Sequence, residues 1–180
     1  RAPAPDLADR FARALARELR AVGITLDFAP VLDVLTNRSN PAIGDRSLSA
    51  DATRAAALGA AIIRGMQDEG VAACGKLFPG PADTAVDSHV ELPIVQLPPD
   101  RLRAVEFVPF RAAVAAQVAC VMTAHVVVPS LDEAQPATLS QIVIRLLRDE
   151  LGHPGMVVSD DLEMQAIGKR WTPAEAAVAA

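Results

Sequence analysis

Four short segments concentrate the residue types that do chemistry. Pro30-Val31-Leu32-Asp33-Val34 leads to Asn40-Pro41-Ala42-Ile43-Gly44-Asp45-Arg46-Ser47, and Gly75-Lys76-Leu77-Phe78-Pro79-Gly80 leads to Asp87-Ser88-His89. The other two are Met122-Thr123-Ala124-His125 and Val158-Ser159-Asp160-Asp161-Leu162-Glu163-Met164. A carboxylate such as Asp160 can act as a nucleophile and hold its target covalently. Taken alone it is as easily a helix cap, although Asp161, directly before the apolar Leu162, is the better candidate for that. Asp87 stands two residues from His89, close enough on a loop to orient the imidazole and stabilise its charged form. A histidine of ordinary pKa, about 6.5, can then give a proton near neutral pH and take one back. Without such a partner a loop histidine is simply solvated. Arg46 and Lys76 are donors for oxygen ligands, Arg46 through its planar fork, or else solvated charges or ion-pair partners of Asp33 or Asp45.

Regular elements must bring these segments together. Leu7, Phe11, Leu15, Leu19 and Val22 recur every three to four residues, which predicts an amphipathic helix ended by Gly23. Ile24-Thr25-Leu26-Asp27-Phe28 is a β-prone run that stops before Pro30, and a polar segment follows over 36–49. The cycle then repeats: a helix over 52–68 stopped by Gly70, a strand over 71–74, and a long loop from Phe78 to Pro99. Asp100 is the expected N-cap of a helix running to about Gln117. A strand over 118–122, a loop, a helix over 140–151 and a strand over 155–159 complete the pattern. Thr172-Pro173-Ala174-Glu175 starts a last helix.

Strand then helix, four times over, means parallel strands joined by right-handed crossovers. A doubly wound sheet and a (β/α) barrel both fit. Loop length favours the barrel, because the long polar loops all follow strands, where a (β/α)8 TIM-type barrel builds its site. No Gly-rich phosphate turn is present to favour a nucleotide-binding sheet. A full barrel needs eight units, so residues 1–180 are expected to be an incomplete central portion of one barrel domain, with flanking strands missing at both ends. The chain is 51% hydrophobic and 22% charged, ordinary for a globular domain. Its net charge of −5 and 3% aromatic content, with no Tyr, argue against a nucleic-acid partner. No apolar run is long enough to span a membrane. The expectation is a cytoplasmic protein whose natural N-terminus lies upstream of Arg1. Cys74 and Cys120 sit in apolar runs and read as buried small hydrophobes rather than a disulfide. Met164 reads as core.

The strings FAPVLDV, NPAIGDRS, GKLFPGPADTAVDSH, MTAHVVVPSLD and VVSDDLEM resemble, in order and spacing, glycoside hydrolase family 3, in its β-N-acetylhexosaminidase branch. The resemblance covers nearly the whole chain. It implies that Asp160 is the nucleophile of a retaining mechanism, attacking the anomeric carbon to form a glycosyl-enzyme. It also implies that the Asp87-His89 pair replaces the second carboxylic acid most glycosidases use, and that Arg46, Lys76 and the position of Leu77 bind sugar. Asp33 and His125 more simply shape the mouth. The implied activity is exo-hydrolysis of terminal N-acetyl-β-glucosaminides, with peptidoglycan-derived muropeptides or similar small oligosaccharides as substrate. No metal or organic cofactor is implied, and His89, His125 and His153 are far apart in sequence.

Two departures stand out. Where the family carries Lys-His-Phe-Pro-Gly-His-Gly-Asp-Thr, this chain reads Lys76-Leu77-Phe78-Pro79-Gly80-Pro81-Ala82-Asp83-Thr84. Leu77 can neither donate nor accept a hydrogen bond, and Pro81-Ala82 is stiffer than His-Gly. The family's early Asp-x-Glu-Gly-Gly-Arg segment is absent from these 180 residues and is expected upstream. The fragment alone is expected to be inactive or poorly folded. The alternatives are a noncatalytic or weakened sugar-binding relative, a family 3 β-glucosidase, against which Asp87-Ser88-His89 weighs, and a doubly wound binding protein.

Overall fold

A computed structural model of the chain describes residues 4–40, 42–81, 84 and 91–180. Asp87, Ser88 and His89, with Ala82 and Asp83, lie outside the described residues. Helix α1 (Pro5–Ala21) opens with Pro at its first turn beside Asp6 and closes with Arg20, both charges complementing the helix dipole. Gly23 follows at φ +85°, and Ile24 N–H reaches back to the Leu19 carbonyl. Helix α2 (Ala52–Asp68) is capped by Asp51, whose side chain accepts from Arg54 N–H at 2.7 Å, and Gly70 ends it in the same way as Gly23 ends α1. Both glycine stops are where the sequence puts them.

Strands β1 (Leu26–Asp27), β2 (Ala72–Phe78), β3 (Cys120–Thr123) and β4 (Met156–Ser159) form one parallel sheet in the order β1-β2-β3-β4. A doubly wound sheet reverses its strand order at a switch point. A sequential order with every helix crossover running the same way is instead an arc of a (β/α) barrel. The register Cys74–Cys120–Met156 and Lys76–Met122–Val158 puts these residues in layers on one face. Among the described residues the outer edges of β1 and β4 carry no further strand, and Phe28 and Met156 near those edges are about half exposed.

Two strand lengths differ from expectation. β1 is shorter, because Pro30 has no N–H to give to a ladder. The chain nevertheless stays beside β2: Cys74 N–H donates to Ala29 O and Lys76 N–H to Pro30 O. β2 is longer and includes Lys76 and Leu77, which the sequence places after the strand. Gly75, which looks like a strand end, is a point of close approach, since a Cβ there would lie 2.6 Å from Leu32 Cδ1. Cys74 and Cys120 are both buried and unoxidised, with Sγ atoms 3.1 Å apart across β2 and β3.

Helix α3 covers 99–115, with a wide π-type stretch at Leu102–Glu106. Pro109 explains the widening, because it can neither bond nor pack against the carbonyl four residues back. Asp100 is not its N-cap. Pro98 holds that position, Pro99 with its preset φ is the first helical residue, and Asp100 falls inside the first turn. The helix stops at Ala115, and Gln117 takes a left-handed φ of 57° in place of a glycine. Its carbonyl accepts from Gln67 Nε2, whose own Oε1 accepts from Ala119 N–H. Phe107 and Phe110 of α3 pack on Phe78 with centroids 5.5 and 5.2 Å away, anchoring the end of β2.

Helix α4 covers 141–150 and is capped by Ser140, as the sequence indicates. Asp161 does not cap the next helix. It accepts from Glu163 N–H in a tight turn one step upstream of α5 (Gln165–Gly168). Met164 is buried. Helix α6 (Pro173–Ala179) has the expected start: Thr172 accepts from Glu175 N–H while Glu175 accepts from Thr172 N–H.

Helices α1 and α2 approach closely where Gly65 faces Asp9 and Ala12. A Cβ on Gly65 would lie 2.7 Å from the Asp9 carbonyl oxygen. Gly65→Ala gains about 1 kcal/mol of helix propensity but forces two backbones apart at a cost of about 1–3 kcal/mol. The variant is therefore expected to unfold at lower urea than wild type; an unchanged or higher midpoint would contradict the packing.

Candidate active site

The C-terminal ends of the strands and the segments after them line a cleft of about 600 Å³. Arg46, Lys76, Leu77, His125, Asp160 and Asp161 all reach it, with an apolar wall from Phe28, Ile43, Met122 and Leu162. Four segments remote in sequence thus meet at one mouth. Parallel pairing causes this, since it places every strand's C-terminus on the same side.

Asp160 directly follows β4. Its N–H donates to the Thr123 carbonyl at 3.2 Å, and its Oδ1 accepts from Asp161 N–H at 2.9 Å. It is partly exposed, so one side of the carboxylate faces the cleft. Lys76 lines the cleft from β2 and makes no ion pair among the described residues. Arg46 comes from a short turn, Gly44–Arg46, and its guanidinium donates to the Ala42 carbonyl, with Nε at 3.0 Å and Nη2 also bonded. It is not paired with Asp33 or Asp45 among the described residues, so its remaining donors stay exposed to the mouth.

Asp33 is buried and works from beneath. Its Oδ2 accepts from Leu77 N–H at 2.9 Å, and its backbone carbonyl accepts from Ser47 Oγ at 2.7 Å. One residue therefore ties the end of β2 to the loop that carries Arg46. The Leu77 side chain is buried against the cleft and offers it no polar atom.

Asn40 does comparable work and escaped sequence reasoning. It is 4% exposed. Its Oδ1 accepts from Ala42 N–H and Ile43 N–H at 2.9 and 2.7 Å, while Nδ2 donates to Pro81 O and Thr84 O at 3.1 and 2.9 Å. This amide joins the loops after β1 and β2, with Asn37 Nδ2 adding a longer bond of 3.3 Å to the Thr84 carbonyl. An Asn before a proline marks a turn, but the second loop is 41 residues away in sequence and no local signal points to it.

The matched family model is the glycosyl hydrolase family 3 N-terminal domain, over residues 2–180. The chain belongs to glycosyl hydrolase family 3. It is 44% identical over 162 residues to a β-hexosaminidase of Thiobacillus denitrificans, covering 89% of this chain and 45% of that protein. Among solved structures, a family 3 β-N-acetylglucosaminidase from a Paenibacillus species superposes with a TM-score of 0.96 at 49% identity, over 98% of this chain and 34% of that one. NagZ from Neisseria gonorrhoeae, solved in complex with N-trifluoroacetyl-D-glucosamine, gives 0.83 at 40% identity, over 89% of this chain and 47% of that one. The chain spans about half the length of the first of these relatives and about a third of the Paenibacillus structure.

In this family 3 domain, three of the residues singled out from sequence, Arg46, Lys76 and Asp160, are brought to the cleft with Leu77 beside them. Asp87 and His89 lie outside the described residues. His125 is 1% exposed, with Nδ1 2.9 Å from Thr138 Oγ1 and Nε2 2.8 Å from the Asp161 carbonyl. Burial pushes its pKa below the ordinary 6.5, against the opposing pull of the Asp161 carbonyl and the Asp160 and Asp161 charges. His153 is likewise buried and lowered, first by burial. Its Nε2 donates to Met156 O at 2.9 Å, and its Nδ1 is buried without a hydrogen-bond partner among the described residues.

Both rings are therefore held neutral when folded, while the unfolded chain takes up protons below about pH 6.5. Their contribution is complete above that pH and is lost as pH falls toward their folded-state values. Asp132 and Glu150 are lowered by Ser140 and Arg103 respectively, and act only at more acid pH, below about 4. Thermal melts should accordingly show a lower Tm at about pH 5 than at about pH 7.5, and His153→Gln should flatten the difference. A Tm that rises on acidification over this interval would refute the assignment of neutral buried rings.

Proposed function

We propose that the protein carrying this chain is a retaining exo-β-N-acetylhexosaminidase that removes terminal N-acetylglucosamine, with muropeptides derived from peptidoglycan as natural substrates. The observation that carries this reading is Asp160 at the end of β4, its carboxylate steadied by the following N–H and open to a cleft that also receives Lys76 and Arg46. The names of its family 3 relatives, and the glucosamine derivative bound in the Neisseria structure, point the same way.

In the first step Asp160 attacks the anomeric carbon and the glycosidic bond breaks. His89, oriented by Asp87, gives its proton to the departing oxygen. In the second step His89 takes a proton from water, which attacks the same carbon and releases Asp160. The two inversions return the original configuration. Lys76 and Arg46 donate to sugar hydroxyls or to the acetamido carbonyl. The mechanism calls on no metal or organic cofactor.

Leu77 favours a second reading, a sugar-binding relative with weakened turnover. Its side chain faces the cleft with no polar atom, so a sugar oxygen placed there loses a hydrogen bond.

The test is turnover of a chromogenic N-acetyl-β-glucosaminide by the full-length protein. Asp160→Ala is expected to reduce it to background. His89→Ala should slow it roughly 10²- to 10⁴-fold, with partial recovery on substrates whose leaving group needs no proton. Wild type should accumulate a glycosyl adduct with a fluorinated sugar, seen by intact-mass measurement; failure to trap one would sink the covalent mechanism. Leu77→His should lower KM with kcat unchanged if only binding is weakened, and a rise in kcat instead would place the defect in the chemical step.

A further inference from the structure

Asp161 links the proposed nucleophile to the neighbouring strand from both of its peptide groups. Its N–H donates to Asp160 Oδ1, and its carbonyl accepts from His125 Nε2 at 2.8 Å. A carbonyl can only accept, so Nε2 carries the proton. The ring is neutral for the reason given above, and Nδ1 is then an acceptor, 2.9 Å from Thr138 Oγ1. The Thr138 hydroxyl has one proton and two acceptors within reach, Nδ1 and the Ala124 carbonyl at 3.0 Å. Thr138 in turn accepts from Thr123 Oγ1 at 3.1 Å. The chain Thr123, Thr138, His125, Asp161 is buried up to its last member, with the two threonines and the histidine at most 2% exposed.

We propose that His125 is a positioning residue for the Asp160 carboxylate, holding by its carbonyl the residue, Asp161, whose N–H keeps that carboxylate in place. β3 and the segment just after it thus grip the nucleophile twice, through the Thr123 carbonyl on Asp160 N–H and through His125 on Asp161. The ring never touches the reacting atoms in this role; its effect passes through one residue, Asp161. The inference rests on the reading of Asp160 as nucleophile.

The experiment follows the rate of glycosyl-enzyme formation with a fluorinated N-acetylglucosaminide in the full-length protein, alongside the Kd for N-acetylglucosamine. His125→Phe keeps a ring of similar size but removes the Nε2 donor. Trapping should slow roughly 10- to 100-fold, the scale of a small misplacement of a reacting group, while Kd is essentially unchanged. His125→Gln returns an N–H donor and should recover much of the rate. Thr138→Val, which leaves Asp161 untouched, should slow trapping less but in the same direction, and it decides the question if the Phe variant does not fold. Wild-type trapping rates in whichever of these variants folds would overturn the role of His125. So would a Kd that weakens in parallel with the rate, because a merely structural lesion does that. A wild-type protein that forms no adduct overturns the covalent role of Asp160, and the role of His125 with it.

Discussion

The hydrogen-bond ladder along both sides of β2 is the constraint on which the rest of the molecule depends. On one side it receives the irregular segment after β1, where Leu32 N–H donates to the Lys76 carbonyl, and on the other it pairs in register with β3. Because all four strands are parallel, this ladder sets which residues share a layer and which ends share a mouth. Gly75 is a point of close approach to Leu32 of the segment after β1, and Phe78 seats the strand's end on α3. Lys76 and Leu77 reach the cleft because both anchors hold.

Above the ladder, a few buried polar groups join loops that the chain itself keeps apart. Asp33 ties the end of β2 to the loop of Arg46, Asn40 ties the loops after β1 and β2, and His125 ties β3 to the turn after β4. Each is nearly excluded from water, so leaving one of its partners unmatched costs about 1–3 kcal/mol. That penalty makes the cleft's shape a property of the folded core rather than of flexible loops.

Much of the architecture was legible in the residue order. Four strand–helix cycles, the stops at Gly23 and Gly70, the Ser140 cap and the Thr172–Glu175 box are local events, governed by residues within one or two turns of each other. The misread boundaries have local causes of a different kind. Gly75 interrupts a strand pattern because Leu32 crowds it, and Pro98-Pro99 outcompetes Asp100 at a helix start. Asp161 serves a turn rather than a helix, because the backbone leaves β4 one turn before α5 begins.

The site divides in the same way. The motif residues Arg46, Lys76, Leu77 and Asp160 were identifiable from sequence because each lies near or beyond the C-terminal end of a strand, and a parallel barrel sends all such positions to one end. Family membership, carried by five motifs in order, was also within reach of sequence. What tertiary structure alone decided were the partners: Asn40 with Pro81 and Thr84, Asp33 with Leu77, and His125 with Thr138 and Asp161. These pairs are 13 to 44 residues apart, and their energies come from shared burial that exists only once β2, β3 and β4 lie side by side.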